Sequence, residues 1–448
     1  MSKILKIGNT SGFWGDRLVA SAKLVEQQPD LDFLTLDFLA EVSLSIMAIQ
    51  QQKDPAAGFA KDFLHVIDTL VSLWRAGSPV KVVTNAGGLN PLACAKAVSE
   101  RLRVAGCKLT IGVVSGDDVL PLLKKESGFA NLDTQEPLST VRERLVTANA
   151  YLGAQSIAQV LEQGADIVVT GRVADPSLTV GPCMYHFGWN TTDYDKIAGA
   201  TVAGHLIECG TQVTGGIWSN WLDLDDPADI GYPVVEVNAD GSFVVTKPSD
   251  TSGCVNLKTV KEQLLYEIGD PEHYLSPDAT VSFQGLHLVQ ESDNRVRVAG
   301  AKGRAPPPTY KVSATYSDGY KAEAMLGLFG PDVEKKARRC GEIVIQRVRE
   351  QGYKLERTWI ECLGCGDIVP GVFKVKDPCE CVLRIAVADQ RQEALECFAK
   401  EIAPLVTSGP QGVVGYTSGR PSVRPVFGYW PCLVDVSAVH PDVQLLKS

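Results

Sequence analysis

Five short apolar runs, each closed by a turn and mostly followed by a helical pattern, set the terms for this chain: Ile4–Ile7, Asp32–Leu36, Val80–Thr84, Leu109–Val114 and Asp166–Thr170. They are rich in β-branched residues and too short for helices, so they read as buried strands. Between them Leu18–Gln27, Glu41–Gln51, Phe59–Trp74 and the run from Pro91 to about Val104 read as helices. Asn90 suits an N-cap and Pro91 the first helical position. Val141–Gln163 also reads as helical, closing on Gly164. Alternation of this kind up to about Thr214 predicts an α/β fold with a mainly parallel sheet covered on both faces. Ligands of such sheets sit just outside the carboxyl ends of the strands. Asn85, Gly87, Asp117, Arg172 and Asp175 each follow a strand and are expected at one edge of a single sheet.

Particular groups there suggest chemistry. Asp37 and Glu41 are four apart as the chain enters a helix, so their carboxylates share a face and can raise one another's pKa. Helix capping accounts for them equally well, Glu41 above all. In Asn85-Ala86-Gly87-Gly88-Leu89-Asn90 the glycines are adjacent rather than spaced as in GxGxxG, which weakens a dinucleotide reading. Backbone capture of a phosphate, carboxylate or thioester oxygen by Gly87, Gly88 and Asn90 fits better. Trp14, Asp16 and Arg17 cluster with Gly8, Gly12 and Gly15 in a similar turn. Downstream, His205 and Glu208 lie three apart on one helix face, ahead of Gly210, Gly215 and Gly216. A carboxylate beside a His orients the ring and is expected to raise its pKa, so the pair could cycle a proton near neutral pH. A structural Arg172–Asp175 pair and a structural His205–Glu208 pair are the bland alternatives.

After Gly216 the pattern changes. Pro233–Val237 and Ser242–Thr246 read as a hairpin around Asp240-Gly241. Further strands and the helix Val333–Gly352 suggest α+β, giving an α/β sheet domain over 1–216 and a smaller α+β domain over 217–448. The last stretch, Ser408–Trp430, is rich in Gly and Pro and carries Arg420 and Arg424, which could wrap an anion. The 448 residues are 45% hydrophobic, enough for a large core. A net charge of −10 without a basic run disfavours nucleic acid. No apolar run is long enough for a membrane span, and no signal peptide precedes the first strand. With 12 scattered cysteines, a cytoplasmic location and reduced, metal-free thiols are expected. Cys362, Cys365, Cys379 and Cys381 could supply four thiolates to zinc, but Gly364 and Gly366 equally suit a tight turn. No G-x-S-x-G elbow is present.

Taken together, SGFWGDR (Ser11–Arg17), LDFLAE (Leu36–Glu41), TNAGGLNP (Thr84–Pro91), SGDD (Ser115–Asp118) and GADIVVTGRVADPSL (Gly164–Leu178) carry a resemblance that continues through AGHLIECGTQVTGG (Ala203–Gly216), LLYEIGDPEHYLSPD (Leu264–Asp278) and SGPQGVVGY with GRP (Ser408–Pro421). The chain resembles the acyclic terpene utilisation protein A (AtuA) family over essentially its whole length. The resemblance implies catabolism of acyclic terpenoids and branched acids as CoA thioesters. Bacterial relatives often carry a further C-terminal ferredoxin-like domain, which is not expected here. The leading expectation is a lyase of the hydratase type acting on an acyl-CoA or branched carboxylic acid. His205, Glu208, Asp175 and Asp37 would be catalytic. Asn85, Gly87, Gly88, Asn90, Asp117, Arg172, Arg420 and Arg424 would bind an anionic small-molecule substrate. No cofactor is expected beyond coenzyme A as part of the substrate, and self-association into a homo-oligomer stays open. The alternatives are a CoA transferase or thioesterase with Glu208 or Asp175 as nucleophile, and a non-catalytic subunit of an acyl-CoA carboxylase system.

Overall fold

The structure, a computed structural model, describes residues 4–40, 42–373, 375–415 and 419–448. The short β-branched runs are strands: β1 (Leu5–Asn9), β2 (Phe33–Leu36), β3 (Lys81–Thr84), β4 (Thr110–Ser115), β5 (Leu145–Ala150) and β6 (Ile167–Thr170). β1, β2, β3, β6 and β4 lie side by side in that order, all parallel. Their register is close: Asn9 faces Thr35, Leu36 faces Thr84, Thr84 faces Val169 and Val114 faces Thr170. The strands therefore finish at one edge, and the segments that follow them converge there.

Sheet order explains the two helical layers. From β1 to β4 the chain advances in one direction, and a right-handed crossover keeps its helices on one face. There Ala20–Gln27, Asp62–Arg75 and Pro91–Val104 pack around Leu34, Leu36, Val82, Ile111, Val113, Ile167 and Val169. The return from β4 to β6 reverses direction, so Gln155–Glu162 falls on the opposite face, with Ser177–Phe187 and Tyr194–Glu208. Gly112 lets it approach: a methyl group there would stand 2.5 Å from Val160. β5 departs from expectation. Leu145–Ala150 was expected to be helical with Gln155–Glu162, yet it is a buried strand paired with Thr309–Phe329, and Thr147 bonds Thr315 at 2.7 Å. Its Leu-Val-Thr composition suits a pleated buried surface, and the helical period begins only past Gly153.

The change of pattern after Gly216 marks a turn from parallel to antiparallel pairing within the same sheet. Val234–Val237 joins the free edge of β1, followed outward by Phe243–Thr246, Arg295–Ala299 and His287–Ser292. At the other edge Asp442–Lys447 pairs antiparallel with β4. Met1–Thr315 with Tyr429–Ser448 forms one compact unit and Tyr316–Gly428 the other, so the observed division falls at 316 and 429 and not at 216.

Within the second unit the order is strand, helix (Val333–Glu350), strands Arg357–Leu363 and Glu380–Asp389, helix (Gln392–Glu401) and strand Val413–Gly415. The first strand, which ends at Phe329, lies between the third and fourth, and the second lies outside the third, all antiparallel. This is the βαββαβ ferredoxin-like arrangement. A unit of this topology is thus present within the chain, where none was expected. Ala322, Ala324, Leu326 and Leu328 alternate inward against Leu383, Ile385 and the helical residues Val344, Leu395 and Phe398.

Candidate functional site

The carboxyl edge of the parallel strands forms a cleft of about 430 Å³ in the first unit. Asp37 follows β2 and is buried. Its Oδ1 accepts from Asn85 Nδ2 at 2.7 Å and from the Leu39 amide at 2.9 Å. Asn85, just past β3, in turn accepts from the Phe38 amide at 2.7 Å. Burial pushes the Asp37 carboxyl well above the usual carboxylate range; Asp175 adds repulsion, while Arg172 and the two hydrogen bonds oppose the shift.

Arg172 follows β6. Its guanidinium donates to the Leu39 carbonyl at 2.6 Å and to Asp175 Oδ1 at 2.7 Å. It also lies 4.1 Å from the centre of the Tyr151 ring, a cation–π contact. Its own backbone amide is held by Asp117 Oδ2 at 2.9 Å, which also accepts from Asn149 at 2.8 Å. Among the described residues lining the cleft, Arg172 is the only cation, beside Asp16, Asp37, Asp175, Glu208 and Glu267. Glu41 lies outside the described residues.

The Tyr194–Glu208 helix brings the last pair. Asn9, at the end of β1, donates to the carbonyls of Ile207 and Glu208, occupying acceptors that a helix C-terminus leaves open. Gly12 permits the close approach: a methyl group there would stand 2.9 Å from the Cys209 backbone. His205 is 2% exposed, edge-on to Phe283, with Nε2 2.9 Å from the Gln263 carbonyl and Nδ1 3.2 Å from Glu208 Oε1. A carbonyl can only accept, so Nε2 carries the proton and a neutral ring offers Nδ1 as an acceptor. Burial lowers the His205 pKa to about 4, against the pull of the Gln263 carbonyl. Burial, then Asp175 and Glu267, push Glu208 well above its usual range. Both shifts favour a hydrogen bond between neutral partners, with the proton on the carboxyl. This corrects the expectation that Glu208 raises the His205 pKa: desolvation of a ring inside the core outweighs the Gln263 carbonyl and the charges of Glu267 and Asp175, and the same burial favours the proton on the acid.

Several candidates have other work. Gly87 and Gly88 are buried. The Gly88 and Asn90 amides bond within the turn, and a methyl group on Gly87 would stand 2.5 Å from the Thr170 carbonyl. Asn90 caps the following helix through the Ala93 amide and clasps the Pro55 and Ala57 carbonyls. These three residues shape the edge and do not line the cleft, and Asn85 and Asp117 stand behind it, holding Asp37 and Arg172. Arg420 and Arg424 belong to the second unit, where they line a different groove. Sequence reasoning missed Asn9, Tyr151, Glu267 and the Gln263 carbonyl. The last carries no signal, since every residue has a carbonyl.

Among the described residues no group of three His, Cys, Asp or Glu side chains is placed to hold a metal ion. Cys362 and Cys381 are buried in the second unit's core, while Cys379 is exposed. Residues 5–445 match the description of the acyclic terpene utilisation family protein AtuA. The chain belongs to this family. Neither the curated proteins nor the solved structures gave a match. Membership links this AtuA-family chain to acyclic terpene utilisation. Among the described residues no helix is long and apolar enough to cross a membrane.

Proposed function

We propose that the chain is a hydro-lyase acting on an acyl-CoA or branched carboxylic acid. The observation that supports it is the buried His205–Glu208 pair bordering a cleft that also holds a second buried acid, Asp37, with both carboxyls pushed well above their usual range by burial. In the hydration direction Glu208 Oε2 takes a proton from the attacking water as the C–O bond forms. The proton on Oε1 moves to His205 Nδ1. Asp37 gives its proton to the α-carbon, and the enolate charge collapses into the new C–H bond. The pair has gained one proton and Asp37 has lost one, which solvent returns. Arg172 faces the carbonyl or carboxylate of the substrate, and Asp175 holds its guanidinium. Each acid or base contact of this kind contributes ~10²–10⁴-fold. His205 acts through Glu208 and is a positioning and proton-holding residue.

A carboxyl kept neutral is a poor nucleophile, which weighs against an acyl-enzyme on Glu208. The deciding experiment presents purified protein with branched enoyl-CoA esters in deuterated, ¹⁸O-labelled water. Deuterium at carbon with ¹⁸O in a new hydroxyl is expected. Label confined to a freed carboxylate would replace hydration with thioester hydrolysis, and no label in any product would favour a non-catalytic role.

For the second unit we propose anion binding. Lys321, Arg420 and Arg424 line a groove of about 650 Å³ with Met325, Ile402 and Val406. Arg384 in the same groove is already matched by Glu323 and Glu361. The double variant Arg420→Ala/Arg424→Ala is expected to weaken coenzyme A binding roughly tenfold, about 1.4 kcal/mol, with an unchanged thermal midpoint. Unchanged affinity would leave the two arginines a structural part of their loop.

A further inference from the structure

We infer that Glu208 Oε2 is a subsite for a hydrogen-bond donor on the ligand, and that this donor is a hydroxyl. The inference rests on the hydro-lyase reading for the ligand's carbon skeleton, but its geometric premise stands apart from that reading. The chain of bonds begins at a backbone carbonyl. Gln263 O lies 2.9 Å from His205 Nε2 and can only accept, so that nitrogen is the donor. Buried at 2% exposure and edge-on to Phe283, the ring is kept neutral by the cost of desolvating its charge, and it presents a lone pair at Nδ1, 3.2 Å from Glu208 Oε1. Two acceptors cannot bond each other, so the hydrogen between them belongs to Glu208 Oε1. That leaves Oε2 as the carbonyl oxygen of a carboxylic acid, able only to accept.

Among the described residues Oε2 is buried and has no hydrogen-bond partner, although Glu208 itself borders the cleft. A buried acceptor without a donor is costly, so a ligand that supplies one gains more than the bond alone. The charged and titratable groups around Glu208 are His205 on its own helix, Cys209 just after it, Arg172 and Asp175 from the loop after β6, Glu267 beyond the Leu257–Leu265 helix, and Tyr274. An ammonium would favour the carboxylate and push the Oε1 proton onto Nδ1, a charge that burial of the ring opposes. A hydroxyl leaves that proton in place. Oε2 is also where the proposed reaction places the oxygen that is added or removed.

Glutamine is the neutral isostere of this acid. In Glu208→Gln the amide N–H can donate to Nδ1 and the amide oxygen can take the place of Oε2. Calorimetry with 3-hydroxy-3-methylbutyryl-CoA and with 3-methylbutyryl-CoA, which lacks the hydroxyl, reads the subsite. The wild-type protein is expected to prefer the hydroxy ester by about tenfold or more. Glu208→Gln should keep the preference and Glu208→Leu should abolish it. A second reading needs no ligand. In ¹⁵N-histidine-labelled protein, His205, assigned by its loss in His205→Gln, should show a protonated Nε2 and an accepting Nδ1, unchanged in Glu208→Gln. A protonated Nδ1 overturns the inference whatever the esters do, and so does equal binding of the two esters by the wild type. If neither ester binds while the nitrogen signature is intact, the acyl-CoA reading of the function fails instead; a tenfold preference for free 3-hydroxy-3-methylbutyrate over 3-methylbutyrate then decides the subsite, and its absence overturns it.

Discussion

Glu208→Gln is expected to lower turnover of the hydration reaction by about 10²–10⁴-fold while leaving the thermal midpoint near that of the wild type. The amide reproduces the bond to His205 Nδ1 but can neither give nor take the proton. His205→Ala is expected to behave differently. It strips Gln263 O of its donor and Glu208 Oε1 of its acceptor inside the core. Each polar group so orphaned costs about 1–3 kcal/mol, so this variant loses stability as well as turnover. Thermal midpoint and turnover measured on the same preparations separate the two. Full turnover in a folded Glu208→Gln protein would remove Glu208 from the mechanism and shift the proton transfer to Asp37 and Asp175. His205→Gln adds a control for positioning: if the ring only holds Glu208 in place, a side chain that accepts from Oε1 should restore part of the rate and move its pH profile.

Much of this site is legible in the sequence because the edge of a parallel sheet is a matter of order and register. A β-branched run that stops at Gly171 puts Arg172 at a strand end, and the same logic places Asp37, Asn85 and Asp117. The sequence cannot say which of these groups meets the ligand and which stands behind it. Asn85 and Asp117 carry the same kinds of polar atom as the cleft-lining residues, yet they are spent on Asp37 and on the Arg172 backbone. The sign of the His205 shift was also out of reach. Spacing shows a carboxylate one helical turn away, but burial and a carbonyl 58 residues downstream in Gln263 decide the tautomer. β5 was hidden because six residues directly before a strong helical pattern inherit its period, and only the partner strand at Thr309–Phe329 shows that they pair. The ferredoxin-like unit was missed for a related reason. Its strands are legible one by one, but their order in the sheet depends on pairings across more than 80 residues, such as Leu326 with Gly415.

Asp117→Asn is expected to stabilise the protein at pH 7 by up to about 3 kcal/mol and to leave it unchanged near pH 4. The carboxyl is 4% exposed and packs against Gly171, where a methyl group would stand 2.2 Å from Oδ1. Burial raises its pKa from 3.8 to about 6; the Arg172 amide and Asn149 pull it down, and Asp118 adds repulsion. A carboxyl whose folded pKa lies above its unfolded value binds its proton more tightly in the folded state. Between about pH 4 and pH 6 unfolding therefore releases a proton, and stability falls as pH rises through that window. Asparagine has no proton to lose and keeps one oxygen to accept from both donors. His205 works in the opposite direction: its folded pKa near 4 lies below the unfolded value of 6.5, so its contribution is present above 6.5 and lost as pH falls towards 4. The wild-type curve sums these opposed slopes, so the test is the difference between wild type and Asp117→Asn, in which the His205 contribution cancels. Urea unfolding at pH 4 and pH 7 gives that difference. The same gap at both values, or a less stable variant at pH 7, would show that the folded carboxyl holds its proton no more tightly than an exposed one and that the Arg172 amide and Asn149 offset or outweigh its burial.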